Sequence, residues 1–168
     1  MSGVRGTQPR EIRQLLLILE QAYDHRSWHG TNLRGSIRGV SLRRAAWRPG
    51  RGRHNIWELV VHAAYWKYAA GRRIAGTPRG AFPFEGSNWF RRPPNNDAAE
   101  RVWRADLAVL DDMHRVLCDA VSSLSPGSLY RPHKGSAESS FSLVTGAAAH
   151  DLYHAGQIQL LKRVRERR

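Results

Sequence analysis

Ala147-Ala148-Ala149-His150-Asp151-Leu152-Tyr153-His154-Ala155-Gly156-Gln157 places two histidines four residues apart near the C-terminal end of the chain. At about 100° per residue they stand one turn apart on the same helical face, close enough to grip one ion. Leu143, Ala147, His150, His154, Gln157, Leu161 and Val164 recur at spacings of four and three, the seam a helix turns toward a bundle core. The spacing therefore predicts that both imidazoles point inward. Buried imidazoles need partners, and two arrangements supply them: neighbouring side chains bonded to two core histidines, or one metal ion that satisfies both rings.

Three more amphipathic segments precede this one. The first covers about 9–26, with Ile12, Leu15, Leu16, Leu19, Ala22 and Tyr23 on one face and Gly30 as its stop. The second covers about 54–75, with a stripe through Ile56, Leu59, Ala63, Trp66, Ala70 and Ile74, and stops at Gly76-Thr77-Pro78. The third covers about 97–124, capped by Asn96 or Asp97, with Val102, Val109, Leu110, Met113, Val116 and Leu117 in its stripe. The HxxxH helix, about 139–165, is the fourth, and its basic end complements the helix dipole. Between the first two, residues 31–52 form a basic connector broken by glycine and proline, with Ser41 as the cap of a short segment. Residues 80–95 form a loop carrying Phe82, Phe84, Trp89 and Phe90, enough aromatic surface to predict packing on the body and the wall of a pocket. With no strand alternation and no repeat, the fold class is all-α: a four-helix bundle forming one domain over residues 1–168. The long connectors leave room for helices adjacent in sequence to be apart in space.

The 168 residues suffice for one core. Lys and Arg number 27 against 14 acidic residues, a net charge of +13, and only Lys67, Lys134 and Lys162 are lysines. Arginine concentrates in residues 34–53 and in the tail 162–168. Such a surface raises nucleic acid and other anions as partners. Neither cluster carries the aromatic interleaving of a single-strand platform or a reading-helix motif, which favours a solvated basic face. The longest apolar run, residues 15–19, excludes a helical membrane span, and the N-terminus lacks a signal-peptide core, so the expected compartment is the cytoplasm. Cys118, the only cysteine, excludes an internal disulfide and reads as a small buried filler.

His62 follows Leu59 by three and precedes Trp66 by four, so it also faces inward. If the second and fourth helices are neighbours, His62, His150 and His154 form a three-histidine set, the ligand count of a zinc site with one position open. Imidazole alone suits Zn, Ni, Fe or Cu. Asp151 stands where the HExxH proteases place Glu, but its shorter side chain does not reach the same point, so it is not assigned as a general base. Glu58, one turn before His62, either orients a ligand imidazole or forms an exposed ion pair with an arginine. Asp106 reads as a partly exposed ion pair with an arginine. His114 reads as exposed; His25, His29, His54 and His133 read as helix-end or loop residues rather than ligands.

Trp28-x-Gly30, then His54-Asn55-Ile56-Trp57-Glu58-Leu59-Val60-Val61-His62 with Trp66, then His150-Asp151-x-x-His154-x-Gly156-Gln157, together resemble the DinB/YfiT-like superfamily over nearly the whole chain. Ser87-Asn88-Trp89-Phe90 is similar to a loop of some members. The resemblance implies an up-down-down-up bundle, a homodimer, and a divalent metal, zinc or nickel, held by His62, His150 and His154. It further implies a small-molecule substrate and activity as a metal-dependent hydrolase or as an S-transferase using a low-molecular-weight thiol; from charge alone, the arginine-rich connector over residues 34–53 could hold the carboxylates of such a thiol. Glu58 is the accompanying candidate for a catalytic role. Two other functions fit the residues: a metal-binding protein without turnover, and a basic bundle that binds nucleic acid or other anions.

Overall fold

Side chains that cap, and stripes that bury, divide the chain into α1 (Arg10–Tyr23), α2 (Leu33–Ile37), α3 (Leu42–Ala45), α4 (Ile56–Ile74), α5 (Ala99–Ser122) and α6 (Ser140–Glu166). These come from a computed structural model that describes residues 8–78, 80, 82–93 and 99–166. No strand occurs among the described residues, and the protein is all-α, as expected. Asn32 and Ser41 cap the two short helices of the connector. Asn55 and Glu58 form a reciprocal capping box at the start of α4: Asn55 Oδ1 accepts from the Glu58 amide (2.8 Å) and Glu58 accepts from the Asn55 amide. Helix α1 ends at Asp24, well before Gly30, and Asn32 Nδ2 donates to the freed His25 carbonyl (2.8 Å). The Asn96 or Asp97 cap lies outside the described residues.

Helix α4 packs on α5 and α6, and α1 packs on the same two, so α1 and α4 face each other across the core. α4 and α5 run in the same direction: Trp57 meets Trp103 and Asp106, Lys67 meets His114, and Gly71 meets Leu117. The last contact needs glycine, because a Cβ on Gly71 would stand 3.3 Å from Leu117 Cα. α1 opposes α5, pairing Gln8 with Ser122 and Tyr23 with Asp111. α6 opposes α4, bringing His154 to His62 and, a turn later on α4, Asp151 to Lys67.

Two expected stripes are rotated. On α5 the buried residues are Ala99, Trp103, Asp106, Leu110, His114, Leu117 and Val121; on α6 they include Val144, Ala148, Asp151, Ala155 and Ile158. His114 is therefore buried, not exposed: it stacks on Tyr23 at 3.8 Å, accepts from Lys67 Nζ (3.3 Å) and lies 3.5 Å from the half-buried Cys118 Sγ. Asp106 has the expected arginine partner, Arg92, but is only 2% exposed and also accepts from Trp57 Nε1 (2.6 Å). Lys67 and Asp151 meet as an ion pair, both side chains 1% exposed.

Removing one member of that pair strands the other charge in the core. Lys67→Met is expected to cost about 3–5 kcal/mol in urea unfolding, and adding Asp151→Leu to recover most of it. Acid also acts on this layer. Burial, and then the Lys67 charge, depress His114 to about 2 from its ordinary 6.5. Between those values the unfolded chain binds the extra proton, so stability rises with pH up to about 6.5 and falls as pH drops below it. His114→Gln should flatten the dependence of unfolding free energy on pH between 4 and 6 by up to about 1.4 kcal/mol per pH unit.

Candidate metal centre

The antiparallel pairing of α4 with α6 brings His62, His150 and His154 together, one from α4 and two from successive turns of α6. Their Nε2 atoms converge: His150 Nε2 lies 3.2 Å from His62 Nε2 and 3.0 Å from His154 Nε2. His62 and His154 are buried and His150 is half-buried, on the flank of α6 beside the seam that Asp151 occupies. His62 Nδ1–H donates to the Asn88 carbonyl (2.8 Å), and His154 Nδ1–H to Gln157 Oε1 (2.7 Å). With Nδ1 protonated, each neutral ring presents a bare lone pair at Nε2. His150 Nε2 can give a proton to only one of them, so hydrogen bonding among the three rings leaves a lone pair facing a lone pair. A cation resolves that conflict. Bonds of about 2.0–2.1 Å to a tetrahedral ion set its ligand atoms about 3.3 Å apart, close to the separations found here.

Burial holds the imidazoles neutral, the form that binds metal. His62 is depressed to about 4, chiefly by burial, against the support of the Asn88 carbonyl. His150 is depressed to about 3 by burial and by its two neighbours, and burial lowers His154 as well. At neutral pH no proton has to leave before a metal enters.

The loop after α4 completes the wall. Asn88 has φ 67, a left-handed conformation that asparagine tolerates; its Oδ1 accepts from Trp66 Nε1 (3.0 Å) while its carbonyl takes His62. Trp89 lies sandwiched between His62 (3.8 Å) and His54 (3.6 Å), both stacked nearly parallel to it. Phe82, Phe84 and Phe90 pack with Tyr65 against the body. Thus His54, read from sequence as a helix-end residue, belongs to the wall, and Asn88 is a residue that spacing alone does not mark; its sequence signal is an asparagine directly before a tryptophan in an aromatic loop.

Glu58 sits apart from the imidazoles. It is buried, accepts both guanidinium nitrogens of Arg48 (2.9 and 2.6 Å) and bonds to His54 Nδ1 (3.1 Å). Arg48 also donates to the Arg53 carbonyl, so Glu58 fastens the segment 49–53 to the first turn of α4. Its link to His62 runs through the stacked rings of His54 and Trp89. Burial opposes ionisation of Glu58, but Arg48 and His54 more than offset this and hold its carboxyl below the usual range.

The DinB superfamily model matches residues 25–158. The chain belongs to the DinB superfamily. No curated protein and no solved structure matches it. The span shared with the DinB superfamily contains all three histidines, the Arg48–Glu58 clamp and the Trp89 wall. No helix among the described residues is long and apolar enough to cross a membrane.

Release of the clamp should be visible without any activity assay. Glu58→Gln keeps the shape but loses the charge that holds Arg48, so trypsin should cut after Arg51 or Arg53 several-fold faster than in the unaltered protein, read by mass spectrometry of timed digests.

Proposed function

We propose that this DinB protein is a metal-dependent enzyme whose divalent ion, zinc or nickel, is held by His62, His150 and His154, and that it acts on a small molecule. The observation that carries the reading is the convergence of three Nε2 atoms with their Nδ1 atoms already engaged at His62 and His154. The chemistry such an ion supplies is acidity, letting a water or a small thiol ionise near neutral pH. The chain's own residues then have separate tasks. Asn88 and Gln157 fix two ring orientations, Trp89 shields one side, and a cleft of about 880 Å³ leaves the imidazoles reachable from the other. None of the described residues lining that cleft is Asp or Glu. Hydrolysis usually needs a base beside the water, whereas transfer of an ionised thiol to an electrophile does not; the lining therefore favours the thiol S-transferase over the hydrolase.

The test begins with metal content. Protein purified without chelator should carry about one zinc or nickel ion per chain by elemental analysis, and His62→Ala, His150→Ala and His154→Ala should each lose it. Metal-loaded protein should then accelerate addition of a low-molecular-weight thiol to an electrophile, and chelation should abolish the rate. Unchanged metal content in His150→Ala would overturn the assignment.

A further inference from the structure

The cleft beside the imidazoles has two unlike walls. One is apolar: Leu59 of α4 with Leu160, Leu161 and Val164 of α6, flanked by Tyr153. Tyr153 and Leu160 are 64% and 62% exposed, a large apolar surface left open at the mouth. The other wall is the segment 49–53, which carries Arg51 and Arg53. Among the described residues neither guanidinium has an ion-pair partner, whereas Arg34, Arg44, Arg48 and Arg92 all do. No described residue lining the cleft is a carboxylate, and Arg51 and Arg53 set two permanent positive charges along one wall. A low-dielectric wall opposite a single sign of charge focuses the field into the space between. The arginine wall is also tethered, through the Arg48 contact with the Arg53 carbonyl and the Arg48–Glu58 pair. At about 880 Å³ the cleft is far larger than a bare oxyanion requires and falls in the range of sites for drug-sized molecules.

We propose that the cleft binds an amphipathic organic anion, with its apolar body on Leu160, Leu161 and Val164 and its carboxylate at Arg51 and Arg53. This names the substrate class for the metal site proposed above and rests on that reading for its chemistry, though not for its binding. A cation would meet only like charge, a neutral apolar molecule would leave both guanidinium groups unused, and an inorganic anion would leave the apolar wall wet.

Octanoate, octanol, octylammonium and acetate serve as probes, titrated into the full chain by calorimetry, with intrinsic tryptophan fluorescence as a second signal. Octanoate should bind roughly tenfold or more tighter than each of the other three. Arg51→Gln/Arg53→Gln should erase its advantage over octanol while leaving metal content unchanged, and Leu160→Ser should weaken octanoate and octanol alike. In His150→Ala the preference for octanoate should persist even where metal is lost, which separates this proposal from the metal assignment. Equal binding of octanoate and octanol, or of octanoate and acetate, would overturn it. So would a preference lost in His150→Ala but kept in the double arginine variant, which would assign the anion to the ion, or displacement of octanoate by duplex DNA at equal phosphate concentration, which would assign the arginines to a polyanion.

Discussion

Lys67 and Asp151 meet where water does not reach, in the contact between α4 and α6. Around them the buried residues of these helices are largely alanines, among them Ala63, Ala64, Ala70, Ala148 and Ala155. Small apolar side chains pack almost equally well after a helix slides by a turn, but a buried charge does not tolerate losing its partner. The pair therefore admits one register. His62 precedes Lys67 by five residues and His150 adjoins Asp151, so the same register sets the imidazoles opposite one another. His114, Tyr23 and Cys118 extend this polar layer toward α1 and α5, and the lysine ammonium lies 4.6 Å over the Tyr23 ring. The histidine cluster and the polar interior of the bundle are held by one set of helix contacts.

The four long helices were readable in the sequence because apolar spacing and caps act locally, although α1 stops at Asp24 rather than at Gly30. Ser41 and Asn55 begin helices where side-chain chemistry says they should, and Gly76 ends α4 in the left-handed conformation. Helix rotation was less legible, and for one reason. A stripe drawn through apolar residues passes by Lys67, His114 and Asp151, which the fold buries because they satisfy one another across helices. On α5 this put Val116, 46% exposed, in place of His114; on α6 it put His150 at the centre of a seam where Asp151 stands. The three histidines still come together, since a spacing of four keeps two imidazoles on one face whether that face is the seam or its flank. What no spacing could reveal is the contact of a side chain with a distant main-chain atom, as between His62 and Asn88, or a clamp spanning a loop, as between Arg48 and Glu58.

The site divides its electrostatic tasks by residue type. Guanidinium groups keep their charge at any physiological pH, while burial keeps the three imidazoles uncharged. Glu58, the buried carboxylate one turn before His62, is occupied by Arg48 and contributes to the shape of the cleft rather than to its charge. The arginine-rich connector thus has an internal order that its composition conceals: Arg34 is bound to Asp111, Arg44 to Glu166 and Arg48 to Glu58, while Arg51 and Arg53 stand at the cleft.

The acceptor that orients His62 is the carbonyl of residue 88, an atom every amino acid possesses. Substitution there cannot delete it; only a change in the path of the backbone can move it. The inheritance of this centre therefore has two parts. The histidines must be kept letter by letter, whereas the loop that aims one of them need only keep its shape, with a residue at position 88 that accepts a positive φ. Chains could then diverge throughout that loop and still hold the same three nitrogens in the same place.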